Sequence, residues 1–134
     1  MPSYALTASE QAHVDGVREA YAQHTLTGIK EVRIDEQLEN NLAGVSRNIG
    51  CVAAKIVYLR IANIGADPIS ALTVDAGTID LPLGIGESIV LVGNATCAAI
   101  CAAWSDAVTF DNLKVTTGAG PAKAYLSVLA LSIA

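Results

Sequence analysis

Ionisable side chains are scarce over most of the chain, and this scarcity excludes whole classes of function. Between residues 52 and 134 there are six acidic residues, four basic residues and no histidine. Acid–base catalysis and metal binding both need several ionisable groups that converge on one point. The sequence therefore predicts a protein that is not an enzyme and that holds no metal ion and no cofactor.

Charged and aromatic residues are also few in relation to the apolar content. Charged residues make up 16% of the chain and aromatic residues 4%, whereas hydrophobic residues make up 52%. Globular domains average about 45–50% apolar residues. A chain of 134 residues can bury one core, but this one has little polar surface left for its exterior. We therefore expect a homo-oligomer, with a trimer favoured, in which copies bury apolar surface against one another.

An excess of positive charge is missing from every part of the sequence. Residues 1–40 hold seven acidic residues against three basic ones, and residues 41–134 hold six against five. Binding to phosphates needs a patch or stripe of Lys and Arg, so we expect no nucleic-acid partner. The acidic balance of the first third is typical of a solvated face.

A secretory leader and a membrane span are not evident either. The first four residues, Met-Pro-Ser-Tyr, are not a basic start followed by an apolar run. The apolar stretch at 51–65 is interrupted by Lys55 and Arg60, and a bilayer-spanning helix needs about 20 predominantly apolar residues. We expect a protein that folds in a reducing cytoplasm, with no membrane partner.

The chain has three cysteines, Cys51, Cys97 and Cys101, and an odd number argues against a disulfide framework. If 97–103 is a strand, Cys97 and Cys101 lie ~13 Å apart at ~3.3 Å per residue, too far apart to be bridged. They would be neighbours only on a helix. The sequence predicts three free thiols that act as small buried apolar side chains.

The first 25 residues are predicted to form an extended arm followed by a short helix over 9–23. Residues 7–10, Thr-Ala-Ser-Glu, match a capping box at the start of that helix. Apolar residues then recur at spacings of three and four, which is typical of a helix but too narrow a stripe for a core. We expect residues 1–25 to dock on a partner.

The predicted interface combines the apolar residues of this arm with the single tryptophan. A tryptophan is expected to anchor either the core or an interface, because it buries a large apolar area and carries one polar N–H group. The predicted interface residues are Tyr4, Leu6, Val14, Val17, Tyr21 and Trp104.

Residues 26–134 are predicted to form one domain of short strands. Segments rich in β-branched and aromatic residues alternate with Gly, Pro, Asn and Asp at intervals of about 8–12 residues, as in an antiparallel β-sandwich or jelly roll. The Ala-rich segment at 97–103 also favours a helix, but its shortness favours a strand. The predicted strands are 29–34, 52–63, 69–74, 78–81, 88–92, 97–103, 107–110, 113–116 and 125–133, with a loop over 35–50.

The order of strands and turns from residue 57 onward is similar to a known structural family. Residues 57–65 form an apolar segment that ends in Asn and Gly, and 81–91 contain the step Leu, Gly, Glu, Ser before an apolar strand. An Ala-rich segment and the closing segment 124–129 follow. This stretch resembles the small β-sandwich proteins of tailed-bacteriophage virions, including head decoration and head-fibre proteins.

The resemblance implies a non-enzymatic structural virion protein, above all a capsid decoration or cement subunit that stabilises neighbouring capsid subunits. It implies that the protein lies in the virion and that the major capsid protein or another virion protein is its partner, and it transfers no catalytic residue. A phage connector or tail component is an alternative. A further alternative is a carbohydrate- or receptor-binding β-sandwich module, which would need an exposed aromatic platform.

Overall fold

The computed structural model describes residues 29–118 and 120–133, together with the backbone of four short strands before residue 29. Strands dominate the described residues, and one α-helix and one short 3₁₀ turn accompany them. In chain order the elements are β1 (Tyr4–Leu6), β2 (His13–Val14), β3 (Val17–Arg18), β4 (His24–Leu26), β5 (Ile29–Gln37), β6 (Val45–Val52), the 3₁₀ turn (Ala53–Lys55), β7 (Ile56–Asn63), β8 (Ile69–Val74), β9 (Leu81–Leu83), β10 (Ser88–Val92), α1 (Asn94–Ser105), β11 (Thr109–Thr117) and β12 (Tyr125–Ile133).

Two four-stranded antiparallel sheets pack against each other to form a β-sandwich. Sheet I has the order β10-β7-β12-β5, and sheet II has the order β6-β11-β8-β9. The pairing is nested, because β5 pairs with β12, β6 with β11, β7 with β10, and β8 with β9. This nested order is that of an eight-stranded jelly roll. The predicted antiparallel, jelly-roll-like β-sandwich is confirmed.

The core lies between the two sheets and is built by alternation along each strand. Successive side chains of a strand point to opposite faces, and in β12 the alternate residues Leu126, Val128 and Ala130 are at most 1% exposed. The facing sheet contributes further fully buried side chains to the same cluster: Ile69, Leu72, Val74, Phe110, Leu113 and Val115.

The outer face of sheet I carries a second, smaller hydrophobic cluster and a polar ladder. Leu131 follows the core residue Ala130 in β12, so its side chain points to the opposite face of the sheet. There it forms a cluster with Ile29, Val57 and Tyr58. On the same face, Arg60 Nη1 donates to Ser127 Oγ at 3.4 Å, and Ser127 Oγ donates to Asp35 Oδ1 at 2.8 Å. These bonds connect the three strands β7, β12 and β5 side by side.

The predicted strand over 97–103 is wrong, because this segment belongs to α1. Cys97, Cys101 and Trp104 follow each other at the spacing of one helix face, and all three are at most 2% exposed. This narrow stripe fills the end of the core, so the intrinsic helix preference of alanine prevails. Asp106, at a φ of 51°, ends the helix in the left-handed conformation.

The predicted loop over 35–50 is too long, since β5 and β6 leave only residues 38–44 between them. The single strand predicted over 52–63 is instead the end of β6, the 3₁₀ turn and β7. The strand predicted over 78–81 is displaced to β9. The loop was predicted too long because polar residues on the exposed faces of β5 and β6 resemble loop residues, and β9 was misplaced because Pro82 was expected to end a strand and lies within one.

The strands predicted over 107–110 and 113–116 are one strand, β11, with an irregularity in its register between Phe110 and Asn112. A carboxylate from another part of the chain holds this irregularity. Asp75 accepts the backbone N–H of Asp111 at 3.0 Å and that of Asn112 at 2.9 Å. Asp111, a type of residue that normally interrupts strands, is thereby accommodated within β11.

The helix predicted over 9–23 is wrong at the residues that the structure describes. Val14 pairs with Val17 in the antiparallel pair β2–β3, and β1 pairs with β4 outside it. The two residues between Val14 and Val17 are Asp and Gly, a dipeptide that favours two-residue hairpins. The other residues of the segment 9–23 lie outside the described part of the chain.

The side-chain amide of Asn63 links both sheets at the end of β7 and is fully buried. Its Nδ2 donates to the carbonyl of Asp67 at 2.8 Å and to that of Leu83, in sheet II, at 3.3 Å. Its Oδ1 accepts the N–H of Gly65 at 3.1 Å and that of Tyr125 at 3.2 Å. All four hydrogen-bonding positions of the amide are therefore used.

We predict that Asn63→Ala lowers the free energy of unfolding by about 3 kcal/mol or more, because each buried polar group left without a partner costs about 1–3 kcal/mol. Urea denaturation followed by circular dichroism measures the change. Asn112→Ala is the matched control, because it makes the same truncation at an exposed strand position, and it should change the value by less than about 0.5 kcal/mol. Equal effects of the two substitutions would show that the Asn63 amide is not a structural link.

Candidate interaction surface

The longest uncharged stretch of the chain runs from residue 88 to residue 105, between Glu87 and Asp106. It comprises β10, the edge strand of sheet I, and the whole of α1. We call residues 88–105 the uncharged segment. Gly93 joins its two parts at a φ of 99°, a conformation that side-chain-bearing residues rarely adopt.

The start of α1 is fastened to the neighbouring 3₁₀ turn by one side chain. Asn94 Nδ2 donates to the carbonyl of Ala54 at 3.0 Å and to that of Ile56 at 3.1 Å. One of these carbonyls belongs to the 3₁₀ turn and the other to the first residue of β7. The bonds fix where the helix enters the end of the sandwich.

The last turn of α1 is fixed by Trp104. Its indole Nε1 donates to the carbonyls of Leu72 and Ile79, both at 3.2 Å. Its ring meets that of Phe110 edge to face, with the ring centroids 5.6 Å apart. Of the two roles that the sequence left open for Trp104, the structure shows the core anchor, since the side chain is 2% exposed.

The inner side of α1 buries two thiols. Burial raises the pKa of Cys97 to about 11 and that of Cys101 to about 12, because a thiolate loses its hydration in an apolar surrounding. Burial likewise raises the pKa of Cys51. All three cysteines are free and buried, as predicted.

The outer side of α1 presents only uncharged side chains to solvent. Its large apolar member is Ile100, which is 42% exposed. The remaining exposed side chains are small or polar: Asn94, Ala95, Thr96, Ala99, Ala102 and Ala103. Because Asn94 and Trp104 hold the helix at its two ends, this face is rigid and lets a partner approach closely.

Strand β10 exposes further apolar side chains along the edge of sheet I. Ile89 and Leu91 pack against the core, and the alternate residues Val90 and Val92 point outward and are 49% and 53% exposed. Singly exposed hydrophobic residues are ordinary on protein surfaces. A strand edge, a helix face and the absence of any charge over 88–105 together distinguish this surface.

The other predicted interface residues lie in the N-terminal strands or outside the described residues. Tyr4 and Leu6 belong to β1, Val14 to β2 and Val17 to β3. Tyr21 lies outside the described part of the chain. For these strands the structure gives backbone pairing, so their role as an interface stays a prediction.

The sequence contains a signal for the uncharged segment that the predictions did not use. An uninterrupted run without charge, flanked by Glu87 and Asp106, is visible from the residues alone. Reading 97–103 as a strand divided this run into two buried strands. The same residues on a helix expose one side, and the exposed side is what makes the segment a candidate surface.

The described residues contain no candidate metal site and no helix that could cross a membrane. Within 29–118 and 120–133, no three His, Cys, Asp or Glu side chains are grouped so that they could hold a metal ion. The described helix is too short to cross a bilayer. Comparisons with protein-family models, curated proteins and solved structures found no match to this chain.

We predict that the three thiols are unreactive in the folded protein. The thiolate is the reactive form, and raised pKa values keep Cys97 and Cys101 protonated at pH 8. Ellman's reagent should label no thiol in native protein at pH 8 and three thiols in denaturant without reductant. Fewer than three in denaturant would reveal a disulfide.

The same shifts predict that the protein loses stability in alkali. The folded state keeps protons on Cys97 and Cys101 above their ordinary pKa of 9.0, where the unfolded chain has lost them. The contribution of these two protonated thiols to the free energy of unfolding is therefore fully present below about pH 9, and it is lost as the pH rises toward about 12. The melting temperature measured from pH 8 to 11 should fall less steeply in the double variant Cys97→Ala, Cys101→Ala than in the wild type. An equal slope would show that other groups cause the loss.

Proposed function

We propose that this chain is a non-enzymatic structural subunit of a bacteriophage particle, and that it decorates or cements the capsid by docking between neighbouring capsid subunits. The observation that carries the proposal is a jelly roll that displays an uncharged segment of 18 residues on its surface. The partner is the major capsid protein or another virion protein.

The geometry of α1 suits docking on a preformed apolar surface. Burial of apolar area contributes about 25 cal/mol per Å², and small side chains around Ile100 allow close contact. Since Asn94 and Trp104 already fix the helix, little conformational entropy is lost when it binds. A weak contact of this kind becomes strong when many copies bind one particle.

The assignment to a virion rests on the resemblance over residues 57–134. The step Leu, Gly, Glu, Ser falls on the turn between β9 and β10, where Glu87 Oε1 accepts the N–H of Gly84 at 2.5 Å. Jelly rolls occur in viral capsid proteins, and also in lectins and cupins. A fold by itself fixes no function, so the resemblance and the uncharged segment carry the proposal together.

The alternatives draw less support from the described residues. A connector or tail component would use the same apolar surface, and only its place in the particle would differ. A sugar-binding module stacks sugars on exposed aromatic rings. In the described part of the chain Trp104, Phe110 and Tyr58 are buried and Tyr125 is half-buried, which favours the docking role.

The proposal predicts that particles assembled without this chain are less stable and that the purified protein restores them. Release of DNA on heating measures particle stability, and mass spectrometry of purified particles measures the copy number of the chain. Wild-type protein should bind in many copies and raise the temperature of DNA release. Ile100→Lys should bind at least tenfold more weakly, because it places a charge in the docked apolar face.

Ile85→Lys is the matched control for this experiment. Ile85 is 59% exposed, lies in the turn before β10, and receives the same substitution outside the uncharged segment. Circular dichroism should show that both variants fold. Absence of the chain from purified particles would overturn the virion role, and equal loss of binding in both variants would overturn the role of α1.

A further inference from the structure

Three of the four sheet edges carry devices that prevent another strand from adding to them. Charged residues, proline, bulges and short length all protect an edge. Strand β9 has only three residues and contains Pro82, and β6 contains Arg47 and has Gly50 at a φ of 65°. The remaining protected edge, β5, carries five charged residues: Lys30, Glu31, Arg33, Asp35 and Glu36.

The fourth edge, β10, has none of these devices. Its sequence is Ser-Ile-Val-Leu-Val, without charge, proline or glycine. Among the described strands only β7 pairs with it. A β-branched, uncharged edge of this kind is a template for pairing with another strand.

The ladder with β7 determines which backbone groups of β10 point away from the sheet. The backbone carbonyl of Glu87 accepts the backbone N–H of Asn63 at 3.0 Å, and the backbone N–H of Gly93 donates to the carbonyl of Val57 at 2.9 Å. In an antiparallel ladder alternate residues bond to the same neighbour. Residues 87, 89, 91 and 93 therefore bond to β7, and the N–H and C=O groups of Ser88, Val90 and Val92 face outward.

We propose that β10 pairs antiparallel with β10 of a second copy of this chain, about a two-fold axis at Val90. The pairing joins two copies of sheet I into one continuous eight-stranded sheet. Val90 then lies opposite Val90 of the second copy, and Ser88 lies opposite Val92. All outward-facing groups of the three residues find partners, in about six hydrogen bonds.

The absence of charge along β10 favours a second copy as the occupant of this edge. A two-fold pairing places Val90 opposite itself and residue 88 opposite residue 92, so a charge at the axis, or charges of one sign along the strand, would bring like charges close together. β10 is free of charge, and the nearest charged residue, Glu87, falls opposite Gly93. On the outer face, Val90 and Val92 of the two copies form one apolar strip across the junction.

This inference goes beyond the proposed function and does not depend on it. It concerns the association of the chain with itself, whereas the capsid is proposed to contact α1. A two-fold contact gives a dimer, so it replaces the trimer that the sequence favours. The two surfaces can be disabled one at a time, because Val90 and Ile100 are similarly exposed and belong to different elements.

Sedimentation of the purified full chain tests the pairing directly. The wild type should sediment at about twice the chain mass of 13.8 kDa at micromolar concentration. Val90→Lys places two positive charges opposite each other and should raise the dissociation constant at least tenfold. Ile100→Lys is the matched control and should leave the dimer unchanged, and circular dichroism should show that both variants fold.

Amide hydrogen exchange followed by NMR identifies the edge residue by residue. In the wild-type dimer the amides of Ser88, Val90 and Val92 should exchange as slowly as those of Ile89 and Leu91. In Val90→Lys the amides at 88, 90 and 92 should exchange at least tenfold faster, while those of Ile89 and Leu91, which bond to β7, stay protected.

Three results would overturn the pairing. One is a monomer whose amides at 88, 90 and 92 exchange rapidly. Another is slow exchange of these amides at the mass of a monomer, which would assign the edge to a segment of the same chain. The third is a dimer or trimer that Val90→Lys leaves intact. A failure of particle binding with an intact β10 dimer would count against the capsid role alone.

Discussion

The insertion of β12 between β5 and β7 is the contact on which the rest of the structure depends. Nine consecutive residues of β12 pair with β5, from Tyr125 opposite Gln37 to Ile133 opposite Ile29. Its other edge pairs with β7, and its inward side chains lie at the centre of the core. Without β12, sheet I is two separate parts and the core loses one wall. β12 holds β7 in place, and β7 in turn pairs with β10, carries Asn63 and contacts α1.

The elements that the sequence predicts well are those that local chemistry decides. The apolar runs of β8, β10 and β12 follow turns that contain Gly, Pro or Asn, and these strands occur at the predicted positions. The errors arise where distant groups decide. Asp75, 36 residues from Asp111, supplies the carboxylate that keeps β11 continuous. In α1, the local preference of alanine for a helix prevails because the helix places Cys97 and Trp104 together in the core, and that core is built by residues distant in sequence.

The candidate surface was predictable in composition but not in position. A high apolar share with few charges leads to the expectation that apolar surface is buried between molecules, and the run from 88 to 105 locates the charge-free residues. Which of them are exposed depends on the nested strand order, which leaves β10 at an edge and turns one side of α1 outward. Trp104 illustrates the limit, because its residue type suits an interface and a core equally, and only the carbonyls of Leu72 and Ile79 decide between them.

The two parts of the uncharged segment differ in the specificity that they can confer. Apolar burial is non-directional, so in the proposed docking α1 selects its partner by shape alone, through small side chains around Ile100 on a rigidly held helix. The β10 edge adds direction, because outward N–H and C=O groups at fixed spacing accept one strand in one register. The net charge of −5 lies outside the segment, so it repels copies at long range without opposing contact at the edge itself. In the proposed pairing, association therefore depends on the alignment of backbone groups more than on apolar content, and a single charge at Val90 is expected to disturb that alignment more than an equal charge elsewhere on the surface.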